Sequence, residues 1–176
     1  LNLSIETLDG LVKHNGPVLN LDKLEKILGK NPFQKKINFK QSASLEAQIA
    51  SISDDVAYNS HDIEDGLKEK LFKIEDLKKI SVISEIIKKN KKKFYKVDND
   101  IFIRELVRNL INEMVSDLIK NTIKNLEKNQ IKNIKDVYKS ENCLVNFSKS
   151  MQNFDKEIKS FLKYKMYFNP KVKKKP

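Results

Sequence analysis

The chain of 176 residues has no tryptophan, one cysteine, two histidines, four glycines and four prolines. A lone Cys143 excludes an internal disulfide and any zinc cage built on several thiolates, and it fits a reducing cytoplasm. With so few glycines, neither a GxGxxG fingerprint nor a GxxxxGKS/T phosphate loop occurs. No run of about 18 apolar residues is present, so no membrane-spanning helix is expected. The absence with most to say is local. Residues 41–67 carry no Lys or Arg, although those types supply 35 of the 176 residues. The same window, QSASLEAQIASISDDVAYNSHDIEDGL, holds six acidic residues, Tyr58 and His61. A stretch that excludes positive charge and concentrates oxygen donors suits cation coordination or proton acceptance.

What is abundant is lysine. The net charge of +11 and pI near 9.5 invite a nucleic-acid reading, here of single strands. Arg104 and Arg108 are the only arginines, however, and Lys, Asn and Ile are inflated together, as an AT-rich genome writes onto any surface. Lysine also lacks the bidentate fork that makes arginine the better phosphate reader. Basicity alone therefore leaves two readings open: a solvated lysine surface, or a basic helical binding module for nucleic acid or a protein partner.

Scarce Gly and Pro beside much Ile, Leu and Lys favour helices, and the length allows one sizeable core. Ser4 is a good N-cap for a short helix with Ile5, Leu8, Leu11 and Val12 at helical spacing, stopped by Asn15-Gly16-Pro17. A second short helix is expected over 21–28, ending at Gly29, with a loop over 30–40. Ser42 or Ser44 caps a long helix to about residue 71, with a candidate break at 59–60. One or two helical pieces follow over 74–90, then a lysine-rich turn at 88–96. Residues 100–128 carry Ile103, Leu106, Val107, Leu110, Ile111, Met114, Val115, Leu118 and Ile119 as one amphipathic face. Residues 129–148 are less regular, 150–168 form a last helix, and the tail from Asn169 has nothing with which to pack itself. The class is all-α, with a helical-bundle architecture.

On a wheel of the lysine-free helix, Leu45, Ile49, Ile52, Val56, Ile63 and Leu67 form the core stripe. Asp54, Tyr58 and Asp62 are spaced by four and stack on another side, about 12 Å from first to last, with His61 and Asp65 beside them. Asp is a poor helix former and no basic partner is offered, while Ala47, Ala50, Ser53 and Ala57 are small enough to admit a neighbouring backbone. These features predict a shielded site; an exposed acidic face is the alternative.

The segments LNLSIETLDGLVKHNGP and SLEAQIASISDDVAYNSHDIEDGL, continued by IRELVRNLINEMVSDLI and by LVNFS and IKSFLKYKMYFNPKV, resemble the deoxyguanosine triphosphate triphosphohydrolase branch of the HD superfamily. The resemblance covers nearly the whole chain and is most specific in the second segment. It implies an all-helical, metal-dependent hydrolase that cleaves a deoxynucleoside triphosphate to deoxynucleoside and triphosphate. Residues 1–73 would be the rear of the HD core and 74–176 a C-terminal helical part. By motif match Asp54 is the last ligand of a divalent Mg or Mn ion. Tyr58 is the residue against the sugar and phosphate, and Asp62 the acid that reads the deoxyribose 3′-hydroxyl.

His61-Asp62 spells the superfamily's doublet but belongs to the later helix, so His61 is expected on the helix surface. His14 has no family role and is expected to pack or cap its turn. Arg104 and Arg108 are expected at the surface. The upstream His, the His-Asp doublet and the catalytic His and Glu have no counterpart here. The chain therefore reads as the C-terminal portion of such an enzyme, inactive alone, binding metal weakly at best, and prone to form homo-oligomers through apolar faces left uncovered.

Overall fold

The structure is a computed structural model and describes residues 3–18, 20, 37–89 and 98–173. The expected helix at 21–28, the loop at 30–36 and the turn at 90–96 lie outside the described residues. All regular structure among the described residues is helical, with no strand. In chain order the elements are α1 (Ile5–Val12), α2 (Leu45–Lys68), α3 (Ile74–Leu77) and α4 (Ser81–Lys89). They continue with α5 (Asn99–Lys128), α6 (Ile134–Lys139), α7 (Lys149–Leu162), a π-helical turn (Lys163–Tyr167) and α8 (Pro170–Lys173).

Local chemistry sets most boundaries. The Ser4 hydroxyl accepts from Thr7 N at 3.2 Å and starts α1, and Gly16, at φ +100°, carries the chain away from it. Of the two serines that could cap α2, Ser44 does so, its Oγ accepting from Ala47 N. No break occurs at 59–60; α2 runs unbroken until Lys70 adopts φ 55°. Asn133 and Asp136 make a reciprocal capping box on α6. Ser148 caps α7 and is itself held by Asp117, which accepts from its N at 2.9 Å and its Oγ at 2.6 Å.

The chain forms two compact units, Leu1–Asp54 with Lys120–Asn146, and Asp55–Ile119 with Phe147–Pro176. In the first, Gly10 of α1 lies against Ala47 of α2 so closely that a β-carbon there would sit 3.0 Å from that of Ala47. Buried Lys13 pairs with Asp9 at 2.6 Å. The segment 143–146 has no regular structure, yet Leu144 and Val145 are buried. Side-chain amides satisfy its backbone. Gln48 Oε1 accepts from Leu144 N at 2.9 Å and Val145 N at 3.1 Å, while Asn125 Nδ2 donates to Leu144 O and Asn121 Nδ2 to Asn146 O.

The second unit holds the larger core. Ile63, Leu77, Ile83, Leu106, Leu110, Met114 and Ile158 are fully enclosed, each contributing about 1.5–3 kcal/mol by burial. Met151, Phe154, Ile158 and Leu162 form the buried stripe of α7, and Phe161 meets Phe72 edge-on at 4.9 Å. Gly66 lies directly under the Phe72 ring, which occupies the space a β-carbon would need. Asn59 Nδ2 donates to Asp155, and Lys159 bridges Asp155 at 2.9 Å and Asp55 at 3.0 Å. Burial pushes the Lys159 ammonium down, but hydrogen bonds to the two carboxylates outweigh it and hold it charged.

Two apolar stripes are narrower than expected. In the α2 stripe, Val56, Ile63 and Leu67 are buried, but Leu45 and Ile52 are half-buried and Ile49 is 48% exposed. The first turns of α2 are covered on the Ala47 and Gln48 sides, and Ile49 lies a quarter-turn beyond them. On α5, Val115 and Ile119 are exposed although Met114 and Leu118, the residues immediately before each of them, are buried. A stripe that broad exceeds what the described neighbours cover. The tail forms the short, exposed α8, with Asn169 Oδ1 accepting from Lys171 N at its start.

Candidate functional site

Unbroken α2 keeps Asp54, Tyr58 and Asp62 at four-residue spacing on one side, as the sequence requires. The shielding expected for that side is absent among the described residues: Ser53, Asp54, Ala57, Tyr58, His61 and Asp65 are all exposed. The Asp54 side chain forms no hydrogen bond or ion pair among the described residues. Its neighbour Asp55 differs, being engaged by Lys159. His61 is on the helix surface, as expected. Arg104 and Arg108 are exposed too, Arg108 reaching only Glu105 at 3.5 Å.

Asp62 is the half-buried member of the series, and what covers it comes from 105 residues further along the chain. Tyr167 Oη donates a short hydrogen bond to Asp62 Oδ2. The rings of Tyr58 and Tyr167 lie 6.4 Å apart, inclined at 42°. Tyr58 is 56% exposed and presents the open side of this trio.

The π turn explains how Tyr167 arrives there. In an α-helix Tyr167 would lie about 140° round from buried Leu162. Instead Phe168 N bonds to Lys163 O at 3.0 Å, an i to i+5 link that widens the turn and swings Tyr167 back toward the buried side. The Tyr167 phenol is pushed far above its ordinary range, by burial first and then by its hydrogen bonds to Asp62 and Tyr58. It stays protonated and acts as a permanent donor. Since each carboxylate oxygen offers two acceptor directions, holding Asp62 by Oδ2 leaves Oδ1 to a ligand hydroxyl.

Sequence reasoning missed Tyr167 altogether. Its only local signal is the aromatic cluster KYKMYF, which reads equally well as helix surface.

Among the described residues, no three His, Cys, Asp or Glu side chains are grouped so as to hold a metal ion. Asp54 alone is one hard oxygen donor. A single carboxylate does not hold Mg or Mn against water, so the donors described here do not by themselves fit a resident divalent ion.

The protein is 47% identical over 172 residues to a deoxyguanosinetriphosphate triphosphohydrolase-like protein of Pelagibacter ubique (strain HTCC1062), a match covering 98% of the chain. The chain belongs with the deoxyguanosinetriphosphate triphosphohydrolase-like proteins. A Bartonella quintana protein of the same description is 40% identical over 177 residues, and one from Agrobacterium fabrum 35% over 179. No protein-family model matches the chain. The chain spans 46% of the Pelagibacter triphosphohydrolase-like protein and 44% of the Bartonella one, corresponding to their C-terminal portion. In that context the acidic helix α2 and the KMYFNPKV segment are parts of one triphosphohydrolase-like sequence, and the fold brings them together at Asp62 and Tyr167.

Proposed function

We propose that this chain supplies the sugar-reading side and one metal carboxylate of a deoxynucleoside triphosphate triphosphohydrolase of the HD type. Water would cleave the substrate to deoxynucleoside and inorganic triphosphate. The observation that carries the reading is the trio of Tyr58, Asp62 and Tyr167 on the open side of α2. Asp62 is the acceptor for the deoxyribose 3′-hydroxyl. Tyr167 fixes its carboxylate through Oδ2, and Tyr58 lays its exposed ring along the sugar. Asp54, whose side chain has no partner among the described residues, is the hard oxygen ligand this chain would offer to Mg or Mn, with further ligands from outside these residues. When bound, a divalent ion held in part by Asp54 would supply Lewis-acid chemistry at a phosphoryl oxygen or at the attacking water.

The test is triphosphate release from deoxyguanosine triphosphate with Mn or Mg. The chain alone is expected to be silent, and the chain joined to the remaining N-terminal portion of the Pelagibacter relative is expected to be active. Silence of the joined protein, with its fold intact, would sink the reading. In the active form, Tyr167→Phe is expected to raise KM about tenfold with a smaller change in kcat, since a hydrogen bond to a charged group is worth about 1.5–3 kcal/mol. An unchanged KM would remove Tyr167 from the site.

A second reading has one observation in its favour. Tyr164 and Phe168 are exposed among Lys163, Lys165 and Lys171, an arrangement of aromatic and basic groups that suits single-stranded nucleic acid.

A further inference from the structure

The first unit contains a cavity of about 540 Å³ that shares no residue with Asp54, Tyr58, Asp62 or Tyr167. Its walls come from one face of α1, the first turns of α2, and α6. They are mainly apolar: Gly10 and Leu11 on α1, Ala47 and Ala50 on α2, Ile134 on α6. Leu11 and Ile134 turn large exposed side chains toward this space. The volume falls within the range of small-molecule sites, about 300–1,000 Å³.

Its charge is unlike that of the rest of the protein. Lys and Arg make up 35 of 176 residues, yet neither type lines the cavity among the described residues. Two carboxylates do, Glu6 and Glu46, and neither forms an ion pair among the described residues. The nearest buried lysine, Lys13, is taken by Asp9. Glu6 is held below its usual range by a backbone hydrogen bond at the start of α1 and by Ser4, so it stays ionised. The Tyr138 phenol on the wall responds to the same field: burial raises it first, and the negative charges of Asp9, Glu6 and Glu46 raise it further.

We propose that this cavity binds a small organic ammonium compound, a protonated amine carried on a compact apolar body. The apolar walls take the body, Glu6 and Glu46 meet the ammonium, and the Tyr138 ring adds a cation–π partner. An anion such as a triphosphate is repelled here, and no group of three metal donors exists among the described residues. The site therefore stands or falls independently of the hydrolase reading.

The test is calorimetric titration of the whole chain with benzylammonium chloride, and in parallel with benzyl alcohol and benzoate. Benzylammonium is expected to saturate one site, benzyl alcohol to bind about tenfold more weakly, and benzoate not to bind, since two charge-assisted contacts separate the first two. Joint Glu6→Gln and Glu46→Gln substitution is expected to bring benzylammonium down to the level of the alcohol with an unchanged circular dichroism spectrum. Ala50→Phe, which fills the cavity, is expected to block binding. The proposal is overturned if the alcohol binds as tightly as the ammonium, or if the double variant is unaffected. It is equally overturned if nothing saturates, or if a lysine-rich peptide binds more tightly than the small amine.

Discussion

Replacing Asp54 with Ala is expected to abolish triphosphate release by the active, joined protein, lowering kcat/KM by about a thousandfold or more. The loss of a direct metal ligand exceeds the roughly 10–100-fold that loss of an outer-shell partner brings. The folded state should not notice the change. The Asp54 side chain is exposed and has no partner among the described residues, and Asp is a poorer helix former than Ala by up to about 0.7 kcal/mol, so unfolding midpoints should hold or rise slightly. That separation of activity from stability is what distinguishes a ligand from a structural carboxylate. Asp55, one residue away, is the built-in comparison, because it is tied to Lys159 at 3.0 Å and its replacement acts on packing. Activity of Asp54→Ala within tenfold of the parent, with added Mn, would remove Asp54 from the metal site.

The second large effect is on stability. Gln48→Ala is expected to cost about 2–5 kcal/mol, because it leaves the buried N–H groups of Leu144 and Val145 without an acceptor, each worth about 1–3 kcal/mol. It also removes the acceptor for the Cys143 thiol at 3.3 Å and the donor to Ala43 O at 2.8 Å. Urea titration followed by circular dichroism measures the loss. The rate of Cys143 modification by a thiol reagent should rise with it, as the 143–145 segment comes loose. A loss below about 1 kcal/mol would mean that water replaces the Gln48 carboxamide, and that this segment is held by Asn121 and Asn125 instead.

Both predictions concern α2, and they differ in how visible they were beforehand. Asp54 stood out because it sits in a lysine-free window at four-residue spacing from Tyr58 and Asp62. Gln48 lies in the same window and drew no notice. A glutamine's worth depends on which backbone groups reach it, and here they come from 96 and 97 residues away. Tyr167 was hidden for the same reason, compounded by a π turn that no α-helical wheel places correctly. The apolar stripes were legible as stripes, whereas their limits were not. Ile49, Val115 and Ile119 satisfy helical periodicity as well as Val56 or Met114 do, and remain exposed.

By itself the sequence determined most of the described helices, many of their ends, and the acidic side of α2. Those properties come from short-range physics: caps three residues from the N–H groups they serve, a 3.6-residue period, and charge excluded from one window. The tertiary structure alone decided which part of each apolar face is covered, which amides anchor the 143–146 segment, and that Tyr167 closes on Asp62. It also assembled, from α1, α2 and α6, a cavity whose described walls carry Glu6 and Glu46 but no Lys or Arg. Each of these depends on residues brought together from distant parts of the chain, where spacing along the sequence carries no information about distance in space.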